Sequence, residues 1–134
     1  MIDNHYPRDE KWLSIVGGKT LEDYERLGVS AKDRLGTDDP VKIGQMVRGW
    51  LSDFMASGPI VPMIVTGNRA IETVRKLVGA TLPVAAAPGT IRGDFSSDSA
   101  DAANADSRPV KNLIHASGDP EEAAREIKLW FPNR

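Results

Sequence analysis

Apolar residues recur at helical spacing in the middle of the first half of the chain. Residues 41–55 carry them three or four positions apart, which predicts a long amphipathic helix. Asp39 can cap this helix and Pro40 suits its first turn, whereas Gly58 and Pro59 end it. The apolar face consists of Ile43, Val47, Trp50, Leu51 and Phe54.

Two shorter helical patterns precede it. Residues 7–17 are typical of one helix, and residues 20–28 are typical of a second. Thr20 and Asp23 have the spacing of a capping box, and Gly28 is a stop signal. The sequence therefore predicts a break between the two helices.

The second half alternates between strand and helix patterns. Residues 60–67 and 111–116 are short apolar runs that predict strands. Helices are predicted at 68–79, capped by Asn68, and at 119–131, capped by Asp119. Few strands mixed with several helices indicate the α+β class.

Composition narrows the function classes. The chain has 134 residues, a formal net charge of −2 and no cysteine. One domain is expected at this length, and the charge balance argues against a nucleic-acid binder. Without cysteine there is no disulfide or thiolate site, no apolar run reaches membrane-spanning length, and the polar first residues do not resemble a secretory signal. We expect a soluble cytoplasmic protein that binds neither nucleic acid nor membrane.

A histidine stands at the junction of an apolar run and a helix start. His115 precedes the small-residue turn at 116–118, so its imidazole should face a helix N-terminus, where backbone N–H groups favour phosphate. A neutral imidazole is also a competent nucleophile, which Glu126 on the next helix could orient. By itself the pattern favours an ordinary, partly buried histidine that is paired with a local carboxylate.

An arginine bracketed by glycines strengthens the phosphate interpretation. Arg92 lies between Gly89 and Gly93, which permit close backbone approach or positive φ. Its guanidinium matches phosphate oxygens, and Arg75 on the preceding helix could supply a second cation. The alternative is a structural turn with a surface arginine.

Two other segments carry weaker signals. Residues 16–20, VGGKT, end like a phosphate-binding P-loop but lack its first glycine and a preceding strand. Residues 96–107 are acidic without calcium-loop spacing. We therefore interpret residues 16–20 as a loop ahead of a helix and residues 96–107 as a solvated loop.

Three separated motifs together resemble the nucleoside diphosphate kinase family. They are SGPIVPMIVTGNRAIETVRKLVGAT, APGTIRGDF and NLIHASGDPEEAAREIKLWF, in the family's order. The resemblance implies a ferredoxin-like antiparallel sheet with helices packed on it, incomplete at the N-terminus. It also implies ping-pong transfer of a γ-phosphate between nucleotides through a phosphohistidine, Mg²⁺ carried by the nucleotide, and a homo-oligomer.

The resemblance assigns roles residue by residue. His115 matches the nucleophile, Glu126 the glutamate that orients it, and Ser117 the serine beside it. No residue is expected to bind the metal directly. The positions that match nucleotide-binding residues are Arg75, Thr81, Arg92, Asn112 and, in the first helix region, Tyr6.

The sequence also departs from the family pattern. No lysine-bearing strand precedes Tyr6, so we expect a single domain over 1–134 that is a fragment of the family fold, with an elongated helical insert at 8–42 and an acidic insert at 96–111. The missing strand motivates one alternative, a nucleotide-binding remnant without catalysis. A second alternative is an interaction domain that uses helix 41–55 as an oligomer face.

Overall fold

The regular elements of the protein are helical in the part that the structure describes. A computed structural model describes residues 5–133. The α-helices are α1 Glu10–Arg26, α2 Ala31–Leu35, α3 Pro40–Ala56, α4 Ala70–Val78, α5 Ile91–Phe95, α6 Ala100–Ala105 and α7 Pro120–Trp130, with a 3₁₀ turn at Pro83–Ala85.

These elements form two compact units. The first unit comprises residues 5–59 together with 100–109, and the second comprises residues 60–99 together with 110–133. Each unit is therefore built from segments that are distant along the chain.

Glycines allow α1 and α3 to pack backbone to backbone in the first unit. A Cβ atom added at Gly17 would lie 1.8 Å from the Pro40 carbonyl oxygen, and one added at Gly44 would lie 2.1 Å from the Leu13 carbonyl oxygen. No side chain fits at either position, so the crossing of the two helices requires both glycines.

The core of the first unit lies beside this crossing. Tyr24, Ala31 and Ile43 are buried together, and Val47 packs against them. The Tyr24 hydroxyl donates a 2.7 Å hydrogen bond to the Asn104 carbonyl oxygen, which ties α6 to α1. The N-terminal half of the apolar face of α3 is thus used in the core, whereas Trp50, Leu51 and Phe54 are only partly buried.

The predicted break between two N-terminal helices is wrong. Residues 10–26 form one helix, capped by Asp9, whose carboxylate accepts from the Trp12 amide at 2.9 Å. Thr20 does not cap: its hydroxyl donates to the Val16 carbonyl oxygen one turn earlier. The packing of Gly17 against α3 outweighs the weak helix propensity of two adjacent glycines. The interpretation of 16–20 as other than a P-loop agrees with this helix.

Helix α3 forms as predicted, whereas α4 begins differently. The Asp39 carboxylate accepts from the Val41 amide at 2.9 Å, as expected for the cap. At α4 the N-cap position is Arg69, in a left-handed conformation with φ 51° and no side-chain cap, so the prediction of Asn68 as the cap is wrong. Val78 of this helix is buried, whereas its neighbour Leu77 is exposed.

The two predicted strands are wrong for the described structure. Within residues 5–133 neither 60–67 nor 111–116 pairs with another segment, so the antiparallel sheet of a ferredoxin-like fold is not confirmed. The side chain of Val61 is 77% exposed and that of Met63 is 68% exposed. A strand exists only with a hydrogen-bonding partner, and apolar composition alone cannot provide one.

The acidic insert is partly ordered by its own carboxylates. Asp98 accepts from the Lys111 amide at 2.7 Å, and residues 100–105 form α6 rather than open loop. The predicted division into one domain with two inserts stays a prediction. Among the helices of residues 5–133, none combines the length and the apolar character needed to cross a bilayer.

We expect Gly17→Ala to destabilise the first unit by about 1–3 kcal/mol, because the new Cβ meets backbone atoms that cannot yield. Gly18→Ala is the matched control. Its Cβ would meet nothing within 4 Å, so it should stabilise the helix by roughly 0.5–1 kcal/mol. Denaturant unfolding measures both changes, and equal effects of the two variants would contradict the close approach.

Candidate active site

The last helix carries a buried carboxylate toward the turn that precedes it. Asp119 caps α7 by accepting from the Glu122 amide at 2.8 Å, and Pro120 occupies the first turn, as the sequence predicts. About two turns after Asp119, Glu126 is only 8% exposed. A carboxylate at this depth needs hydrogen-bond donors, because unsatisfied burial of a charge is costly.

Two side chains of the turn supply those donors. His115 Nε2 lies 2.8 Å from Glu126 Oε1, and the Ser117 hydroxyl donates to Glu126 Oε2 at 2.6 Å. The structure thus brings together the three residues that the sequence predicts as a catalytic group. The same hydrogen bond would also be found in an ordinary histidine paired with a carboxylate. A second observation is therefore needed to indicate an active site.

The pairing defines the tautomer of the imidazole. A carboxylate only accepts, so Nε2 carries the proton that it shares with Glu126. In the neutral ring Nδ1 then has the lone pair. The His115 side chain is 52% exposed, so the imidazole is accessible from the surface of the second unit.

A small pocket of about 180 Å³ opens beside the imidazole and is the second observation. It lies within the second unit, and the sequence-predicted residues that line it are Arg75, Thr81, Arg92, Asn112 and His115. Four predicted nucleotide-binding residues and the predicted nucleophile therefore share one concave surface.

The two arginines of the pocket have different surroundings. Arg75 is exposed on α4, and its Nη1 lies 3.5 Å from the Ala116 carbonyl oxygen. Arg92 is 7% exposed and lies on the one-turn helix α5 rather than in a loop. Burial lowers the pKa of Arg92, and the charge of Arg75 lowers it further. Arginine is the most basic of the side chains, so Arg92 is treated as a cation.

The glycines around Arg92 have the two uses that the sequence predicts. Gly89 has a φ of 86°, and a Cβ added at Gly93 would lie 2.2 Å from the Ala87 carbonyl oxygen. Both confirm the expectation of positive φ or close approach. Thr90 caps α5 by accepting from the Gly93 amide at 3.1 Å.

The expected phosphate-receptive N-terminus of α7 stays a prediction. The first turn of α7 is occupied by the protein's own carboxylates: Asp119 caps it, and Glu122 accepts from the Gly118 amide at 2.6 Å. These bonds satisfy the amides of Gly118 and Glu122. The positively charged side chains that line the pocket are those of the two arginines.

Sequence reasoning missed four residues that line the pocket: Val78, Gly79, Ala116 and Glu122. Gly79 was predicted only as a helix end, yet its carbonyl oxygen accepts from Arg92 Nη1 at 3.0 Å. Glu122, in the first turn of α7, also lines the pocket. The only sequence signal for Gly79 is its position just past a helix. No local signal points to Glu122.

Tyr6 belongs to the first unit. Its ring lies 6.4 Å from that of Trp12, between centroids, and burial raises the pKa of its hydroxyl. Its predicted place near the phosphate site stays a prediction.

Comparison with known proteins identifies the family. The family model described as nucleoside diphosphate kinase matches residues 43–134. A nucleoside diphosphate kinase from Pyrobaculum aerophilum is 52% identical over 97% of this chain and 71% of its own length. One from Streptomyces coelicolor is 51% identical over 63% of this chain and 54% of its own length.

Solved structures agree. The crystal structure of an NDP kinase from Pyrobaculum aerophilum superposes with a TM-score of 0.91 at 52% identity, covering 97% of this chain and 71% of that one. An NDP kinase from Borrelia burgdorferi, 33% identical, has a TM-score of 0.56 over 87% of this chain and 77% of its own. The class is thus that of nucleotide-binding phosphotransferases. The chain belongs to the nucleoside diphosphate kinase family.

We expect Glu126→Ala to release the imidazole tautomer. The ¹⁵N chemical shifts of the two His115 ring nitrogens should move toward each other as the second tautomer becomes populated, because Nε2–H loses its acceptor. Ser117→Ala is the control, since it removes the other bond to Glu126 and leaves the 2.8 Å pair. Unchanged shifts in Glu126→Ala would show that the carboxylate does not hold the ring.

Proposed function

We propose that the chain transfers the γ-phosphate of a nucleoside triphosphate to a nucleoside diphosphate through a phosphohistidine at His115. The observation that carries this proposal is the hydrogen bond from His115 Nε2 to the buried Glu126 carboxylate, 2.8 Å long, at the edge of a pocket with two arginines. A histidine oriented by a carboxylate beside fixed cations has what phosphoryl transfer requires.

The chemistry divides into two half-reactions at one nitrogen. The Nδ1 lone pair attacks the γ-phosphorus, the bond from phosphorus to the bridging oxygen breaks, and the diphosphate leaves with that electron pair. The proton on Nε2 stays between His115 and Glu126, whose charge stabilises the phosphorylated ring. In the second half-reaction, a terminal oxygen of another nucleoside diphosphate attacks the phosphorus and the imidazole leaves.

The pocket residues divide the binding of the nucleotide. Arg75 is accessible on α4 and can donate to phosphate oxygens, with Thr81 as a hydroxyl donor. Arg92 contributes positive charge from the wall of the pocket. Asn112 holds the sugar hydroxyl in this proposal, and a pocket of about 180 Å³ accommodates the phosphates rather than the whole nucleotide.

The relative from Borrelia burgdorferi supports the reaction class. It was solved as a transition-state mimic with bound vanadate and ADP. That ligand pair stands for a phosphoryl group in transit beside a nucleoside diphosphate. The same class of substrates is proposed for this chain.

Magnesium fits the site as a companion of the nucleotide. Of the carboxylates near the pocket, Glu122 accepts from the Gly118 amide and Glu126 from His115 and Ser117. Both are committed to protein donors, so phosphate oxygens and water would coordinate Mg²⁺, which prefers such ligands. When bound, the ion neutralises phosphate charge. A homo-oligomer, the state expected by resemblance, completes the proposal.

We expect acid-labile label on the wild-type protein after incubation with γ-labelled ATP, and none on His115→Ala, because an N–P bond is acid-labile. The chain has two histidines, so His5→Gln is the matched control and should keep the label. If His115→Ala still becomes labelled, a residue other than His115 is the nucleophile. Binding of ADP without any label on the wild type would instead indicate a nucleotide-binding remnant.

We expect Arg75→Ala to raise the KM for ATP by roughly 10–100-fold, the loss of one to two charge-assisted hydrogen bonds of about 1.5–3 kcal/mol. Lys76→Ala removes the same charge from the neighbouring position of α4, outside the pocket, and should change KM by less than about threefold. Steady-state kinetics measures both. Equal increases would mean that only the overall charge of the helix matters.

A further inference from the structure

The guanidinium of Arg92 donates to backbone oxygen atoms through each of its three nitrogens. Nη1 donates to Gly79 at 3.0 Å, Nε to Asn112 at 3.2 Å and Nη2 to Ile114 at 2.6 Å. Three different nitrogens thus bind three carbonyls from two segments. This arrangement belongs to a group that holds backbone in place rather than one that mainly awaits a ligand.

Two of those carbonyls flank an unusual turn. Leu113 has a φ of 70°, and the Ile114 amide donates to the Asn112 carbonyl oxygen at 2.8 Å, which closes a γ-turn centred on Leu113. A leucine rarely adopts this conformation, and a turn of this kind persists only when its surroundings hold it. Leu113 is 54% exposed, so packing of its side chain does not hold the turn.

Arg92 is positioned to supply that restraint. It binds the carbonyl before Leu113 and the one after it, and its third bond anchors the pair to the residue that follows α4. His115 comes directly after Ile114. The turn therefore determines where the imidazole enters the pocket and how Nε2 meets Glu126.

We propose that Arg92 is a positioning residue: its guanidinium holds the γ-turn at Leu113 and so aligns His115 with Glu126. Its kinetic consequence rests on the proposed function, but its structural consequence does not. A lysine at this position keeps the charge, yet it presents one nitrogen where three are used. Charge alone therefore cannot replace the arginine.

The test separates positioning from phosphate binding by recording His115 without any nucleotide. In Arg92→Lys the ¹⁵N shifts of the His115 ring should move away from the wild-type values toward those of Glu126→Ala. In Arg75→Lys, the matched control, they should stay at the wild-type values, because Arg75 makes one contact of 3.5 Å with this segment. Wild-type shifts in a folded Arg92→Lys protein would overturn the proposal.

A second pair of variants leaves Arg92 untouched. Leu113→Val places a β-branched residue at φ 70°, a conformation that such residues avoid, so the His115 signals should move in the same direction. Leu113→Gly accepts this φ without strain and should keep the wild-type signals. This pair decides the question if Arg92→Lys does not fold, and identical spectra for the two would overturn the proposal.

Steady-state kinetics distinguishes a positioning role of Arg92 from a role in binding phosphate. Misplacement of the imidazole should lower kcat of Arg92→Lys by about 100-fold while KM for ATP changes by less than about threefold. A raised KM with unchanged kcat would assign Arg92 to ground-state binding of phosphate and overturn positioning. If the wild type shows no transfer at all, the proposed function fails, whereas the nucleotide-free spectra still decide the positioning.

Discussion

The site depends on the carboxylate of Glu126, buried against the turn at 115–117. An ionised carboxylate removed from water is costly unless donors surround it, and here His115 and Ser117 each donate to one of its oxygens. The bonds that satisfy the charge are therefore also those that orient the imidazole. The same hydrogen bonds therefore stabilise the docking of α7 and align the candidate nucleophile. A substitution that removes them changes both.

The parts that sequence predicted well are those with local causes. Asp39 and Asp119 cap their helices as expected, because a cap involves atoms only three residues apart. The break predicted before Thr20 failed, since its cause lies in α3: Gly17 packs against the Pro40 carbonyl oxygen. Two adjacent glycines are a stop signal in isolation and a contact surface in the folded first unit.

The strands failed for a related reason. An apolar run predicts burial, but a strand needs a second segment at hydrogen-bonding distance, and no local pattern says whether one is present. In the site, the grouping of His115 with Glu126 and Ser117 was predictable from position and family resemblance. The partners of Arg92 were not: its three carbonyls lie 13, 20 and 22 residues away in sequence.

Without a sheet pairing among the described residues, side chains provide the cross-links that backbone pairing would provide. Residues 111–116 have no ladder, yet Asp98 accepts from the Lys111 amide, while Arg92 binds the Asn112 and Ile114 carbonyls. Each such bond replaces a strand contact with one that depends on a single side chain. A segment held in this way should tolerate few substitutions of Arg92 or Asp98, whose side chains hold it. At the exposed Leu113, the constraint on substitution is its backbone conformation. The candidate nucleophile thus sits at the end of a segment whose geometry is determined by a buried cation on one side and a buried carboxylate on the other.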